Sequence, residues 1–239
     1  MTDLPIPERA LAIAAHPDDI EFGCGATLAK WSTAGCVVDH LVCTDGSKGT
    51  WDENADTKAL VNIRQSEQIE AARRLGASGK VWFLDAVDGE LTSDLDRRRE
   101  VARIIRLAKP DVVFGHDPWK RWRLHPDHRH AGFLAVEGIV AARDPFFFPE
   151  LDLPRHRPDL LMLFDGEEPN HVEDVTGFTE PKVDALLAHE SQFETTMVIT
   201  DEPDDETAAF RDRELAQMRA AAAGESFEYG EAFHLIDDL

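Results

Sequence analysis

The sequence has no apolar run approaching the ~20 residues that a membrane span needs. Its start, MTDLPIPERALAIAAH, has neither the basic residues nor the long apolar stretch of a secretory signal. A cytoplasmic protein without a membrane partner is expected. Cysteine is scarce: Cys24, Cys36 and Cys43 are an odd set without a CxxC pair, which argues against a disulfide framework and against a thiolate zinc site. Basic tracts are missing too. Asp and Glu number 47 against 25 Lys and Arg, for a net charge of −22, so a phosphate backbone would be repelled and no nucleic-acid partner is expected. The acidic excess reads as a solvated surface, because no localised acidic stripe is there to steer a cationic substrate. Repeats are absent, and the only biased tract is DEPDDE at 201–206. There is a single tyrosine, Tyr229. What remains is ordinary for a globular chain, with 43% hydrophobic and 8% aromatic residues. The length of 239 residues suits one domain, 1–239.

Short β-type runs alternate with helical stretches through the first two thirds. ALAIAA at 10–15, VVDHLVC at 37–43, VWFLD at 81–85 and DVVFG at 111–115 read as strands. Stretches 25–34, 60–75, 94–108 and 127–142 read as helices, the first two stopped by Gly35 and Gly76. Such alternation predicts an α/β fold, a mostly parallel sheet with helices on both faces, and the near-continuous apolar strands fit a sheet covered on both sides. This core is expected over 10–143. The part from 144 to 239 is less regular and is expected to shape the substrate pocket: a Pro-rich connection, a strand at 159–165, a short strand in HVEDVT, helices at 180–193 and 204–223, and a terminal EAFHLI.

Two constellations carry chemistry. AHPDDIEFGCGAT at 15–27 follows the first strand, and HDPWKRWRLHPDHRH at 116–130 follows the fourth. Both fall at the carboxyl edge of the sheet, where the crevice at the switch of strand order binds ligands in doubly wound folds. His16 and Asp19 stand three residues apart, so one turn can aim imidazole and carboxylate at a common point. A catalytic zinc takes about three protein ligands and a water, so a third ligand would come from the other motif. Pro126 suits the first position of a helix, which puts His125 and His128 on one side of its start. His130 falls about 200° around the helix from His128 and faces elsewhere. Taken alone, HPDD could be a helix cap through Asp18 or Asp19, and HPDH a surface turn. Their pairing at adjacent strand ends favours chemistry.

The pair AHPDD and HPDHRH, with TDGSKGT, RQSEQIEAARRLG and HESQ between and after them, resembles the LmbE-like (PIG-L) deacetylase family from about residue 10 to about residue 195. That family includes N-acetylglucosamine-type deacetylases of mycothiol and bacillithiol biosynthesis. The resemblance implies a Rossmann-like fold and an enzyme that hydrolyses the N-acetyl or small N-acyl amide of an amino-sugar or related small molecule. It implies zinc on His16, Asp19 and His128, with Fe²⁺, Co²⁺ or Mn²⁺ also compatible with such donors. It implies Asp18 as general base, His125 as the residue assisting the oxyanion and leaving group, and Asp127 as the carboxylate that orients and charges His125. Related enzymes often form homo-oligomers. Arg64 matches a family arginine that holds substrate hydroxyls, or is a surface charge. The family's tyrosine just before HPDH is missing here, where Arg123 and Leu124 stand instead.

Weaker candidates remain. Asp117 can bind a sugar hydroxyl or cap its loop. His189 is expected to be structural and Cys24 to pack in a tight turn. Trp51, Trp119 and Trp122 line the cleft rim, or pack in the core or at an edge. Two other functions compete: a zinc amidase acting on a thiol-sugar conjugate or natural product, and a non-catalytic nucleotide-binding module using Gly-Cys-Gly at 23–25 as a phosphate turn. The second lacks the full GxGxxG and would set carboxylates where phosphate must sit.

Overall fold

The computed structural model describes residues 4–200 and 202–239. Seven strands form one sheet: β1 (Arg9–Ala14), β2 (Val37–Thr44), β3 (Val81–Ala86), β4 (Val112–His116), β5 (Leu160–Phe164), β6 (His171–Asp174) and β7 (Gly230–Ile236). Their spatial order is β3-β2-β1-β4-β5-β7-β6. The first five run parallel, while β7 lies antiparallel between β5 and β6. The helices are α1 (Asp19–Thr33), α2 (Thr57–Arg74), α3 (Leu95–Ala108), α4 (Pro126–Arg143), α5 (Thr179–Leu186) and α6 (Pro203–Ala221). Alternation along β1 shows how the layers are made. Leu11 and Ile13 join a core with Val101 and Ile105 of α3 and Leu134 of α4. Ala10, Ala12 and Ala14 face the other way, onto Leu28 and Trp31 of α1. Among the described residues no helix is long and apolar enough to cross a membrane.

The strand order reverses between β1 and β4, which pair directly with Ala12 opposite Phe114. Their carboxyl ends therefore open side by side, and the two His/Asp motifs leave from those ends. This is the switch-point crevice expected of such sheets.

Helix α1 starts at Asp19, earlier than the 25–34 read from periodicity, and is kinked at Cys24 (φ −150°, ψ 17°). The kink frees backbone groups, and distant side chains take them up. Lys182 Nζ donates to Phe22 O at 2.7 Å, and Glu231 accepts from Ala26 N at 3.1 Å and Thr27 N at 2.7 Å. Lys182 and Glu231 are themselves ion-paired at 2.8 Å and buried. The glycines of Gly-Cys-Gly have a packing role, since a Cβ on Gly23 would stand 2.5 Å from the Phe164 ring. With amides committed to Glu231, this turn is no phosphate cradle. Cys24 is fully buried, and burial first of all pushes its thiol up.

The helix expected over 180–193 ends at Leu186, followed by a 3₁₀ turn (Glu190–Gln192) and a π-helical turn (Phe193–Met197). The chain leaves α-helical geometry at Ala188 and His189, whose N–H groups bond three residues back to Ala185 O and Leu186 O, and Glu67 of α2 then holds the 3₁₀ turn. It accepts from Ser191 N at 2.8 Å and Ser191 Oγ at 2.6 Å.

Candidate active site

At the crevice mouth lies a cleft of about 350 Å³, floored by His16, Asp18, Asp19, Arg64, Asp88 and His128, with His125 at its edge. The turn after β1 supplies the first group. Pro126 opens α4, and His125 caps it by accepting from Asp127 N at 3.3 Å. His128 thereby sits in the first turn of α4, facing β1.

His16 Nδ1 lies 3.2 Å from Asp19 Oδ2 and 3.2 Å from His128 Nε2, and His128 Nε2 lies 3.3 Å from Asp19 Oδ1. Donors on a tetrahedral ion with bonds of about 2.0–2.2 Å stand roughly 3.3–3.5 Å apart; the three residues meet in a triangle at that spacing, with Asp19 turning Oδ2 to His16 and Oδ1 to His128. His16, His125 and His128, and Asp19, His116 and His128, also bring one donor atom each within 4.8 Å of one another. The far side of His16 is held by carboxylates: Nε2 is 3.2 Å from Asp127 Oδ2 and 3.3 Å from Asp88 Oδ1. With an ion at the triangle, these carboxylates would hold the proton on Nε2 and leave Nδ1 to the ion. Burial pushes the His16 imidazolium down, but Asp127, Asp19 and Asp88 outweigh it and hold it well above the usual value. Burial also pushes Asp19 up, and the imidazoles of His128 and His116 reverse that, holding its carboxyl well below the usual range. Surroundings this anionic favour a cation at the triangle.

Asp18 is buried beside the triangle in a left-handed conformation, φ 99°. Burial raises its carboxyl to about 6 against the opposing pull of Arg64, whose Nη2 is 3.6 Å from Asp18 Oδ2. His125 is exposed at the cleft edge. Its ring packs edge-on to His16 at 4.6 Å and stacks on His128 at 5.0 Å. Partial burial, then His16 and His128, hold its imidazole below the usual value.

Some expected residues have other partners. Asp127 points at His16 and at the amides of Gly89 (2.6 Å) and Leu91 (3.2 Å); only its backbone N–H meets His125. The carboxylate that the resemblance assigns to His125 thus serves His16, because amides from the loop after β3 draw it inward. Asp117 faces away from the cleft, into a hollow with Trp119, Glu167, Glu168 and His234, and its Oδ1 accepts from Trp119 N at 2.9 Å. It caps its own loop and lies outside the cleft lined by the other candidates. Arg64 is buried at the cleft floor, with Nη1 donating to Gly46 O at 2.9 Å and Nη2 to Pro17 O at 2.7 Å. Trp51 lines the cleft and is 72% exposed; Trp119 and Trp122 stand outside it. His189 is fully buried, 3.4 Å from Glu21 Oε2, as suits a structural histidine.

Sequence reasoning missed His116 and Asp88. His116 ends β4 with Nε2 3.3 Å from Asp19 Oδ2, and burial first of all lowers it to about 4, keeping it neutral. Its place at the head of the second motif was the available signal. Asp88 lies in the loop after β3 with no motif around it. Arg123, at the position lacking tyrosine, has Nη1 3.3 Å from Nδ1 of both His116 and His128, and 2.9 Å from Asp165 Oδ2.

The sequence profile of PIG-L, described as GlcNAc-PI de-N-acetylase, matches residues 11–139. A diacetylchitobiose deacetylase from Thermococcus kodakarensis is 36% identical over 189 residues, spanning 78% of this chain and 70% of that protein. The chain belongs to the PIG-L family of N-deacetylases. Another relative of this PIG-L chain, a 1D-myo-inositol 2-acetamido-2-deoxy-alpha-D-glucopyranoside deacetylase 2 from Saccharopolyspora erythraea, is 31% identical over 176 residues, 64% of each protein. Among solved structures, the N,N'-diacetylchitobiose deacetylase from Pyrococcus horikoshii with its inhibitor MPG superposes with a TM-score of 0.86 at 32% identity. The match covers 97% of this chain and 84% of that one. The matched PIG-L region carries both His/Asp motifs and four of the five parallel strands.

Proposed function

We propose that the chain removes the acetyl group from the nitrogen of an N-acetylglucosamine-type sugar, with a divalent metal, zinc foremost, held by His16, Asp19 and His128. The observation that carries this reading is the meeting of His16, Asp19 and His128, with pairwise contacts of 3.2–3.3 Å that use both Asp19 oxygens, next to a buried Asp18. When bound, such a metal acidifies a water molecule and polarises an amide carbonyl. The chain's own residues do the rest. Asp18, not needed in the triangle, takes the proton of the attacking water as its oxygen bonds to the carbonyl carbon. His125 Nδ1 accepts from Asp127 N, which leaves the proton on Nε2 to donate to the developing oxyanion. It does so as a neutral imidazole, consistent with its lowered pKa. As the C–N bond breaks, Asp18 returns its proton to the amine, giving acetate and a free amino-sugar. A carboxyl raised to about 6 suits a group that must both take and give a proton near neutrality.

Asp127 and Asp88 act on His16 rather than on the oxyanion side. Asp127→Asn is expected to weaken metal binding about 10–100-fold, read by competition with a chromogenic chelator. Were Asp127 to work through His125 instead, metal affinity would stay unchanged and only kcat would fall.

The exposed indole of Trp51 at the cleft mouth offers a flat apolar face to a sugar ring beyond the one being deacetylated. Together with the chitobiose-acting relatives, this favours a disaccharide over a monosaccharide. The three cysteines are unbridged and buried, which suits a reducing cytoplasm. The test is acetate release from N,N'-diacetylchitobiose, N-acetylglucosamine and an inositol-linked N-acetylglucosamine. The disaccharide is expected to give the highest kcat/KM. Folded, metal-loaded protein that releases acetate from none of the three would overturn the reading.

A further inference from the structure

Behind the cleft floor lies a layer of polar groups that the reaction does not touch. Glu21 of α1, His40 of β2, Gln68 of α2 and His189 after α5 are all fully buried. Gln68 is the hub. Its Nε2 donates to Glu21 Oε1 at 2.7 Å and lies 3.2 Å from His40 Nδ1, while its Oε1 accepts from Asp18 N at 3.1 Å. Glu21 fixes which way this amide points, because a carboxylate only accepts and so draws the NH₂ end. The Oε1 end is then committed to Asp18. One helical turn earlier, Arg64 donates to Pro17 O at 2.7 Å. Pro17 O and Asp18 N are the two ends of a single peptide unit, so residues four apart on one face of α2 grip both ends of the 17–18 peptide plane. The grip falls next to strain: Asp18 sits at φ 99°, ψ −29°, a region that costs a residue with a Cβ and persists only where surroundings impose it. A buried polar cluster of this kind is weak evidence for stability, so its geometry calls for another role.

We propose that Gln68, oriented by Glu21 and assisted by Arg64, is a positioning residue that holds Asp18 in its left-handed conformation with its carboxylate at the cleft floor. This rests on Asp18 being the proton-handling group of the proposed deacetylase. Gln68→Met removes the hydrogen bonds to Glu21, His40 and Asp18 N without adding charge. A displacement of about 1 Å in a reacting group costs on the order of 10²-fold, so kcat is expected to fall by about that much. KM should stay within about threefold, since substrate binding is untouched, and bound metal per chain should be unchanged.

The decisive comparison is a swap measured on the metal-loaded protein. Gln68→Glu sets two carboxylates against each other and should lose kcat alike, as should Glu21→Gln, which no longer dictates the amide's direction. The double variant Glu21→Gln with Gln68→Glu exchanges the two roles. The amide at position 21 donates to the carboxylate at position 68, which accepts from Asp18 N as well. Its kcat should return to within about tenfold of wild type. A crystal structure of Gln68→Met separates this inference from the functional reading: residue 18 should leave the left-handed region. Wild-type kcat in Gln68→Met, or residue 18 still near φ 99°, overturns the positioning role even if the enzyme is a deacetylase. A displaced residue 18 in a protein whose wild type never releases acetate upholds the clamp and overturns the deacetylase.

Discussion

Asp18→Asn is expected to keep its metal and lose about 10²–10⁴-fold in kcat, the usual contribution of a positioned proton-transfer group. The substitution is nearly isosteric, and Asn tolerates left-handed backbone at least as well as Asp, so φ 99° adds no new strain. The backbone N–H that Gln68 holds is unchanged. What disappears is the ability to accept a proton from water and return it to the amine. Replacing the buried carboxyl also removes a negative group beside Asp19, yet all three donors of the triangle stay, so bound metal per chain should not change. Steady-state kinetics with metal analysis check this, with the loss appearing in kcat and in kcat/KM alike. An Asn variant with wild-type kcat would take Asp18 out of the chemistry.

His128→Ala is expected to lose both metal and turnover. It removes a donor that stands 3.2 Å from His16 Nδ1 and 3.3 Å from Asp19 Oδ1, leaving two of the about three protein ligands a catalytic zinc ordinarily has. His116 is the imidazole nearest to compensating: its Nε2 is 3.3 Å from Asp19 Oδ2 and its ring is stacked face to face 4.4 Å from the one removed. Zinc content after dialysis should fall from about one per chain toward zero, and acetate release with it. Retention of stoichiometric zinc would assign the ligand set to other residues, with His116 and His125 the nearest imidazoles.

Much of the site was legible because its two motifs are local. His16, Asp18 and Asp19 are fixed by one turn at the end of β1, and His125 and His128 by a Pro-led helix start. The strand alternation puts those two places side by side, since β1 and β4 pair at the point where the sheet order reverses. Illegible parts depend on partners far along the chain. The kink at Cys24 is stabilised by Lys182 and Glu231, which no window around 15–27 contains. The 3₁₀ turn after α5 is held by Glu67 of α2, which accepts from Ser191 N and Oγ. Asp127 stands two residues from His125, yet its side chain crosses to His16 and the Gly89 and Leu91 amides. Asp117, at a strand end that invites a functional reading, turns away to cap Trp119. Spacing says which residues share a turn, but the direction of a carboxylate within that turn is set by whichever N–H groups tertiary packing brings near.

Everything proposed for the cleft depends on the donor triangle holding the metal that hydrolysis requires. The most direct measurement strips the wild-type protein with a chelator, then titrates zinc back while following acetate release from N,N'-diacetylchitobiose. Negligible release is expected from the stripped protein, with activity rising to a plateau at about one zinc per chain. Full-rate acetate release from protein shown by elemental analysis to contain no metal would contradict that dependence.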